Sequence, residues 1–167
     1  MKVAVIASSV KVDNVKVGSY INAEIPSIGF ATTDVTGAGV MGTIAVPVMG
    51  QIESMEMVLH TRGMDADTHA LYAPGKHRIE LLNAQQVFAP NTNDKAVAGK
   101  IYVEGRFKSA DGGSVEAPNP SEGSVTYEVT RMQWFVEGRE TLLVDKENYI
   151  YRVNGVDHMA DVRAAVQ

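Results

Sequence analysis

The stretch Gly37-Ala38-Gly39-Val40-Met41-Gly42 carries the spacing G-x-G-x-x-G. In a dinucleotide-binding unit that spacing bends a loop around a pyrophosphate. The chemistry needs a strand before the loop and a helix opening at its end, so that free helix amides meet the phosphate. Here Thr43-Ile44-Ala45-Val46-Pro47 follows. This segment is β-branched and interrupted by proline, so no helix opens. The composition suits a flexible loop that reaches to a neighbouring subunit.

Other chemistry-bearing residues do not converge. His60, His69, His77 and His158 are scattered along the chain. Asp65, Asp67 and His69 are close in sequence, but helical spacing does not aim all three at one point; capping and solvent exposure account for them. Asn91-Thr92-Asn93-Asp94 faintly resembles a calcium loop but lacks its Gly and closing Glu. No Ser sits in a G-x-S-x-G elbow, and Gly99-Lys100 lacks the upstream Gly of a phosphate-binding loop. Trp134 and Phe135 are expected to serve core and interface packing. The reading is a chain with no catalytic residues, no cofactor and no metal.

The elements that position these residues are mostly short strands. Residues 10–17 alternate and read as an edge strand with Lys outward. Tyr20–Ile25 reads as a strand stopped by Pro26, and Ile28–Val35 as the next. Thr43–Val48 and Gln51–His60 follow. Asp65–Tyr72 is the one internal helix, with Asp65 as its cap and Pro74-Gly75 as its stop. Residues 78–89 fit either a helical or a strand period. Val97–Lys108 alternates as a good strand. Ser109–Ser124, rich in Gly and Pro, is expected to be a mobile loop. Ser124–Thr130 and Met132–Val136 extend into a turn at Glu137-Gly138-Arg139-Glu140, then a strand to Asp145. A further extended piece covers Asn148–Val153, and Asn154-Gly155 turns the chain. A short C-terminal helix follows, with Asp157 as N-cap and Met159, Val162, Ala165 or Val166 on one stripe. The pattern predicts a mainly β fold, an antiparallel barrel or sandwich with two short helices. One domain, 1–167, is expected, with long loops at about 36–43 and 109–124.

Composition limits the function further. The chain has 167 residues, 45% hydrophobic and 21% charged, enough to bury a core. It holds no Cys, which removes disulfides and thiolate metal sites. The apolar run Val3–Ala7 is too short for a signal peptide or a spanning helix, so a protein that is neither exported nor membrane-bound is expected. Net charge is −5, from 20 acidic and 15 basic residues. That balance argues against a protein that grips nucleic acid by neutralising phosphates. It is compatible with a wall that DNA passes without sticking.

The C-terminal third carries a family resemblance. Glu137-Gly138-Arg139-Glu140, Val144-Asp145, Val153-Asn154-Gly155-Val156-Asp157, Ala160 and Arg163 resemble the closing segment of the major tail tube protein of contractile-tailed (P2-like) phages and R-type bacteriocins. In that family a "DGRE"-like turn leads to a strand ending in Asp, and a "VNGVDxLAxxR" segment closes the chain. Here Glu137 stands for Asp, and Met159 stands for Leu. Gly18–Phe30 and the Gly37–Gly42 loop resemble the front of the family more loosely. The same resemblance gives residues 78–89 as strand.

The resemblance implies a tail-tube (Hcp-like) barrel and a structural role. The chain would be the protomer of hexameric rings stacked into an inner tube, a virion tail component or part of a bacteriocin particle, made in the bacterial host cytoplasm. Implied partners are the sheath protein, the tape measure protein, the baseplate tube initiator and the tail terminator. DNA would be met only in passage. Gly37, Gly39, Val40, Met41 and Gly42 would form an inter-subunit loop. Gly138, Asp145, Asn154, Gly155, Asp157 and Arg163 are motif residues expected in packing, Arg163 through a salt bridge. Thr32, Asp34, Gln51, Glu53, Glu104 and Glu128 are polar strand alternates that could line the channel. Two other readings stand beside this one: a type VI secretion-like tube protein, and a monomeric barrel that binds a small ligand.

Overall fold

The computed structural model describes residues 1–63 and 65–167. Twelve strands are described: β1 (Lys2–Val12), β2 (Val15–Lys16), β3 (Tyr20–Glu24), β4 (Phe30–Val35), β5 (Ile44–Ile52), β6 (Glu56–Arg62), β7 (Lys76–Val87), β8 (Lys95–Asp111), β9 (Glu122–Val136), β10 (Arg139–Asp145), β11 (Ile150–Val153) and β12 (Val156–Asp157). Two helices join them, α1 (Ala66–Ala70) and α2 (Ala160–Val166). All pairings are antiparallel.

The main sheet runs β12-β11-β10-β9-β8-β7-β1-β2. It branches at β9. One edge of β9 pairs with β8 for most of its length. The other edge pairs first with β6 (Glu122–Glu128) and then with β10 (Arg131–Val136). Because β6 also carries β3, the sheet curls until β3 returns beside β1, where the Tyr20 and Ser8 hydroxyls are 3.2 Å apart. A rolled sheet of this kind encloses its apolar alternates. Val10 and Val12 of β1, Met57 and Leu59 of β6, Ile79 of β7, Ile101 and Val103 of β8, and Val125, Tyr127 and Val129 of β9 meet inside, all buried. The interior is thus a packed core rather than a ligand chamber, which removes the structural basis of a small-ligand barrel.

The Tyr127 ring is fully buried, and its hydroxyl donates to Leu71 O at 2.7 Å. That bond ties the end of α1 to the core. α1 forms where expected, with Asp65 as N-cap accepting from Thr68 N. Residues 78–87 are strand, part of β7 between β1 and β8, and the strand stops two residues short of the expected end at Ala89.

Several expectations are corrected. Residues 10–17 are a hairpin rather than one strand, because Asp13 and Asn14 take positive φ (51° and 65°) and turn β1 into β2. The apolar run Val3–Ala7 lies in the first half of an eleven-residue strand. Residues 44–52 form one strand through Pro47, and β6 starts only at Glu56. β9 is continuous from Glu122 to Val136, with a register shift against β8 between Glu104 and Gly105. The loop expected at 109–124 shrinks to residues 112–121, because β8 runs to Asp111 and β9 starts at Glu122. Asp157 does not cap α2; Met159 occupies that position with no side-chain cap bond. No residue of α2 is buried, so the expected apolar stripe reduces to Met159 alone.

Candidate assembly surfaces

Strands β4 and β5 form an arm. Among the described residues they pair only with each other, joined by residues 36–43. Thr, Val and Ile dominate the sequence here, which favours extended backbone without requiring a core beneath it. Pro47 is tolerated because β5 is an edge strand. The register opposes Thr33 to Val46 and Val35 to Ile44, and so gives one face an apolar stripe. The opposite face pairs Thr32 with Pro47 and Asp34 with Ala45. Both faces are largely exposed, with Ile44 at 51% and Met49 at 67%.

The tip is the G-x-G-x-x-G stretch. Gly37, Gly39 and Gly42 all have positive φ (141°, 93° and 95°). Val40 N donates to Gly37 O at 3.1 Å, closing a turn that presents Met41 completely to solvent. The glycines therefore shape a projecting tip and no phosphate cradle.

The base of the arm is anchored. The Phe30 ring lies edge-on to Tyr151, centroids 5.4 Å apart. Lys146 Nζ donates to Glu53 O at 2.7 Å. Gly50 has φ +76°, and a Cβ there would run into the Met159 side chain. The C-terminal segment thus supports the arm.

The motif residues explain that support. Glu137-Gly138 (φ 53° and 75°) makes the two-residue turn between β9 and β10. Asn154-Gly155 (φ 49° and 84°) does the same between β11 and β12. Asp145, almost fully buried, accepts from Glu147 N, Asn148 N and Asn148 Nδ2, folding the β10–β11 loop on itself. The Asp157 carboxylate accepts from Met159 N at 3.0 Å and from Arg163 at 2.7 Å. These bonds, led by the Met159 amide, hold its carboxyl below the usual carboxylate range. Arg163 also donates to Tyr149 O. The expected Arg163 salt bridge lies within the chain. Gly138, Asp145, Asn154, Gly155, Asp157 and Arg163 shape and hold their own C-terminal third.

The six polar alternates do not share one face. Thr32 and Asp34 lie on the arm's polar face, with Gln51 and Glu53 near its base. Glu104 and Glu128 stand on the outer face of the barrel. Glu104 is ringed by Lys76 (2.9 Å), Arg78 (3.6 Å) and Arg131 (4.0 Å). Glu128 accepts from Ser54 and pairs with Lys108, which also pairs with Glu56.

A second exposed surface was not legible in the sequence. The β1 edge opposite β7 carries no strand from Lys2 to Ser9 among the described residues. Val3, Val5 and Ile6 are exposed there, as is Phe88 next to Met1. Free edges with apolar side chains invite pairing with another chain.

A family model described as phage tail tube protein FII matches residues 5–166. The chain belongs to this tail tube family. Its role is structural, as a component of a phage or phage-like tail. The tail tube fold is similar to that of a chain in an extracellular contractile injection system, described as the PVC sheath/tube terminator in the extended state. There the TM-score is 0.55 and identity 14%, over 80% of this chain and 96% of that one. A chain of the PVC sheath-tube complex in the extended state matches with TM-score 0.53 and 13% identity, over 77% and 88%. A chain of the anti-feeding prophage baseplate matches with TM-score 0.54 and 8% identity, over 79% and 93%. No curated protein matches the sequence. No helix among the described residues is long and apolar enough to cross a membrane.

Proposed function

We propose that this tail tube protein is the protomer of hexameric rings that stack into the inner tube of a contractile tail. The observation that carries the reading is the β4–β5 arm together with the free β1 edge. Both expose apolar side chains and, among the described residues, keep strand edges that no other strand of the chain pairs, and ring or stack neighbours would satisfy them. The tube surrounds a channel, with the sheath outside and the tape measure protein within before DNA. The baseplate initiator and the terminator close its ends. The similar chains in a sheath-tube complex, a sheath/tube terminator and a baseplate support the sheath and the end-closing partners. The role needs no catalysis and no cofactor.

The polar face of the arm, with Thr32 and Asp34, faces the channel in this reading, and the apolar face packs on a neighbour. A net charge of −5 keeps passing DNA from sticking. The same tube serves a genome-carrying phage or a bacteriocin that breaches an envelope. The test is assembly of the purified chain with its baseplate initiator, followed by sedimentation and electron microscopy. Hollow tubes of stacked six-fold rings are expected. A chain that stays monomeric at high concentration, with and without the initiator, overturns the reading.

A further inference from the structure

The arm carries two features at different places along its length that fit one another. At the tip, Met41 is wholly exposed on a turn held by three glycines of positive φ. At the base, Phe30, Pro47, Val48, Met49, Tyr151 and Met159 line an open, largely apolar pocket of about 380 Å³. Among the described residues nothing covers the exposed tip or fills the open pocket. Ile44, next to the tip, and Val48, at the pocket, are about 13 Å apart along β5 at ~3.3 Å per residue, and Met41 lies beyond Ile44 on the tip turn, so the strand holds the tip away from its own pocket.

We propose that Met41, flanked by Val40, inserts into the base pocket of a second copy of this chain in the next ring. This rests on the tube reading above and specifies the contact that propagates the stack. A knob and a hole at different places along one hairpin make a heterologous, head-to-tail contact. Such a contact closes a ring only if its rotation returns to the start; directed from one ring to the next, it extends a filament. Methionine suits the role, because its unbranched thioether fits an irregular apolar pocket. Charge is also compatible. From Phe30 to Ile52 the arm's one charged residue is Asp34. At the pocket the titratable side chains are Tyr151 and His158, neither of them a carboxylate, so the contact brings no like charges together. The supporting wall is the C-terminal motif itself, since Met159 and Tyr151 complete the pocket. On this reading the C-terminal segment serves stacking by holding the receiving site open.

The absence of Cys in the chain makes the contact directly testable. In the double variant Met41→Cys, Val48→Cys, mild oxidation with diamide converts two thiols to one disulfide and reduces the diamide. The two sulfurs join only when their Cα atoms come within roughly 7 Å, which the length of one arm forbids inside a protomer. Assembled tubes are expected to give a ladder of dimers, trimers and higher oligomers on a non-reducing gel. Each single variant should give dimers at most. Met41→Asp should retain the wild-type circular dichroism and melting temperature but lose tube assembly, whereas Met41→Leu should assemble. Tubes that form without a ladder, or Met41→Asp tubes at wild-type yield, overturn this contact and leave the tube reading intact. A wild-type chain that forms no tubes with its initiator overturns both.

Discussion

Met159 fills the space that a side chain on Gly50 would need: a Cβ built there lies 2.9 Å from the Met159 sulfur, and closer still to its methyl. Gly50 belongs to the arm and Met159 opens the C-terminal helix, so one packing contact couples the projecting hairpin to the motif that closes the chain. Gly50→Ala is expected to cost about 1–3 kcal/mol, from the positive φ and the displaced methionine together. Chemical denaturation measures it. Met159→Ala should relieve part of that cost, so the double variant should be less destabilised than the sum of the two singles. An unchanged denaturation midpoint for Gly50→Ala would show that the contact is unimportant.

Tyr127 gives a second test. Its hydroxyl donates to Leu71 O inside the core, and Tyr127→Phe leaves that carbonyl unpaired. A loss of about 1–3 kcal/mol is expected. Burial also pushes the phenol above its ordinary value, because the charged form is poorly solvated there. The unfolded phenol ionises near about pH 10. The folded protein holds the proton to higher pH, so the stabilisation is complete below about pH 10 and is lost as pH rises through the folded value. Melting curves at rising pH should show this decline, and Tyr127→Phe should reduce it. An identical alkaline slope in both proteins would refute the assignment.

Acid should act first at the other end of the chain. The Asp157 carboxyl is held below the usual range by the Met159 amide and by Arg163. Its contribution is present above an ordinary carboxylate value of about 4 and is lost as pH falls through the lowered folded value. Protection of the Met159 amide, measured as its exchange rate relative to the unstructured rate at the same pH, is expected to fall over that window before the barrel responds. Arg163→Ala should produce the same loosening at neutral pH. Protection of α2 that is indifferent to both changes would rule the clamp out.

The channel reading predicts weak contact with nucleic acid. The isolated protein should show no retention of duplex DNA at physiological salt, since its basic side chains are outnumbered and many are paired. Glu104→Gln should raise retention at low salt, because it leaves Lys76, Arg78 and Arg131 without their common carboxylate. The gain should vanish as salt rises. Micromolar binding by the wild-type protein at physiological salt would contradict the proposal.

The sequence by itself determined the local pieces. Asp65 with Pro74-Gly75 bounded α1, because capping and proline act within a few residues. Glu137-Gly138 and Asn154-Gly155 marked two hairpins, because positive φ is a property of the residues at the turn. The alternation of Ile101 and Val103 announced β8, and the acidic balance argued against a phosphate-gripping surface. Tertiary structure decided what depends on distant partners. The period of residues 78–89 was ambiguous until β1 and β8 lay on either side of them. Alternation showed that Thr32 and Asp34 share a face but not that Glu104 and Glu128 lie on another body of the molecule. Nor could the sequence pair Gly50 with Met159. Strand pairing and close packing join residues that the chain keeps far apart, and the identity of the neighbour, rather than the residue alone, sets what each side chain does.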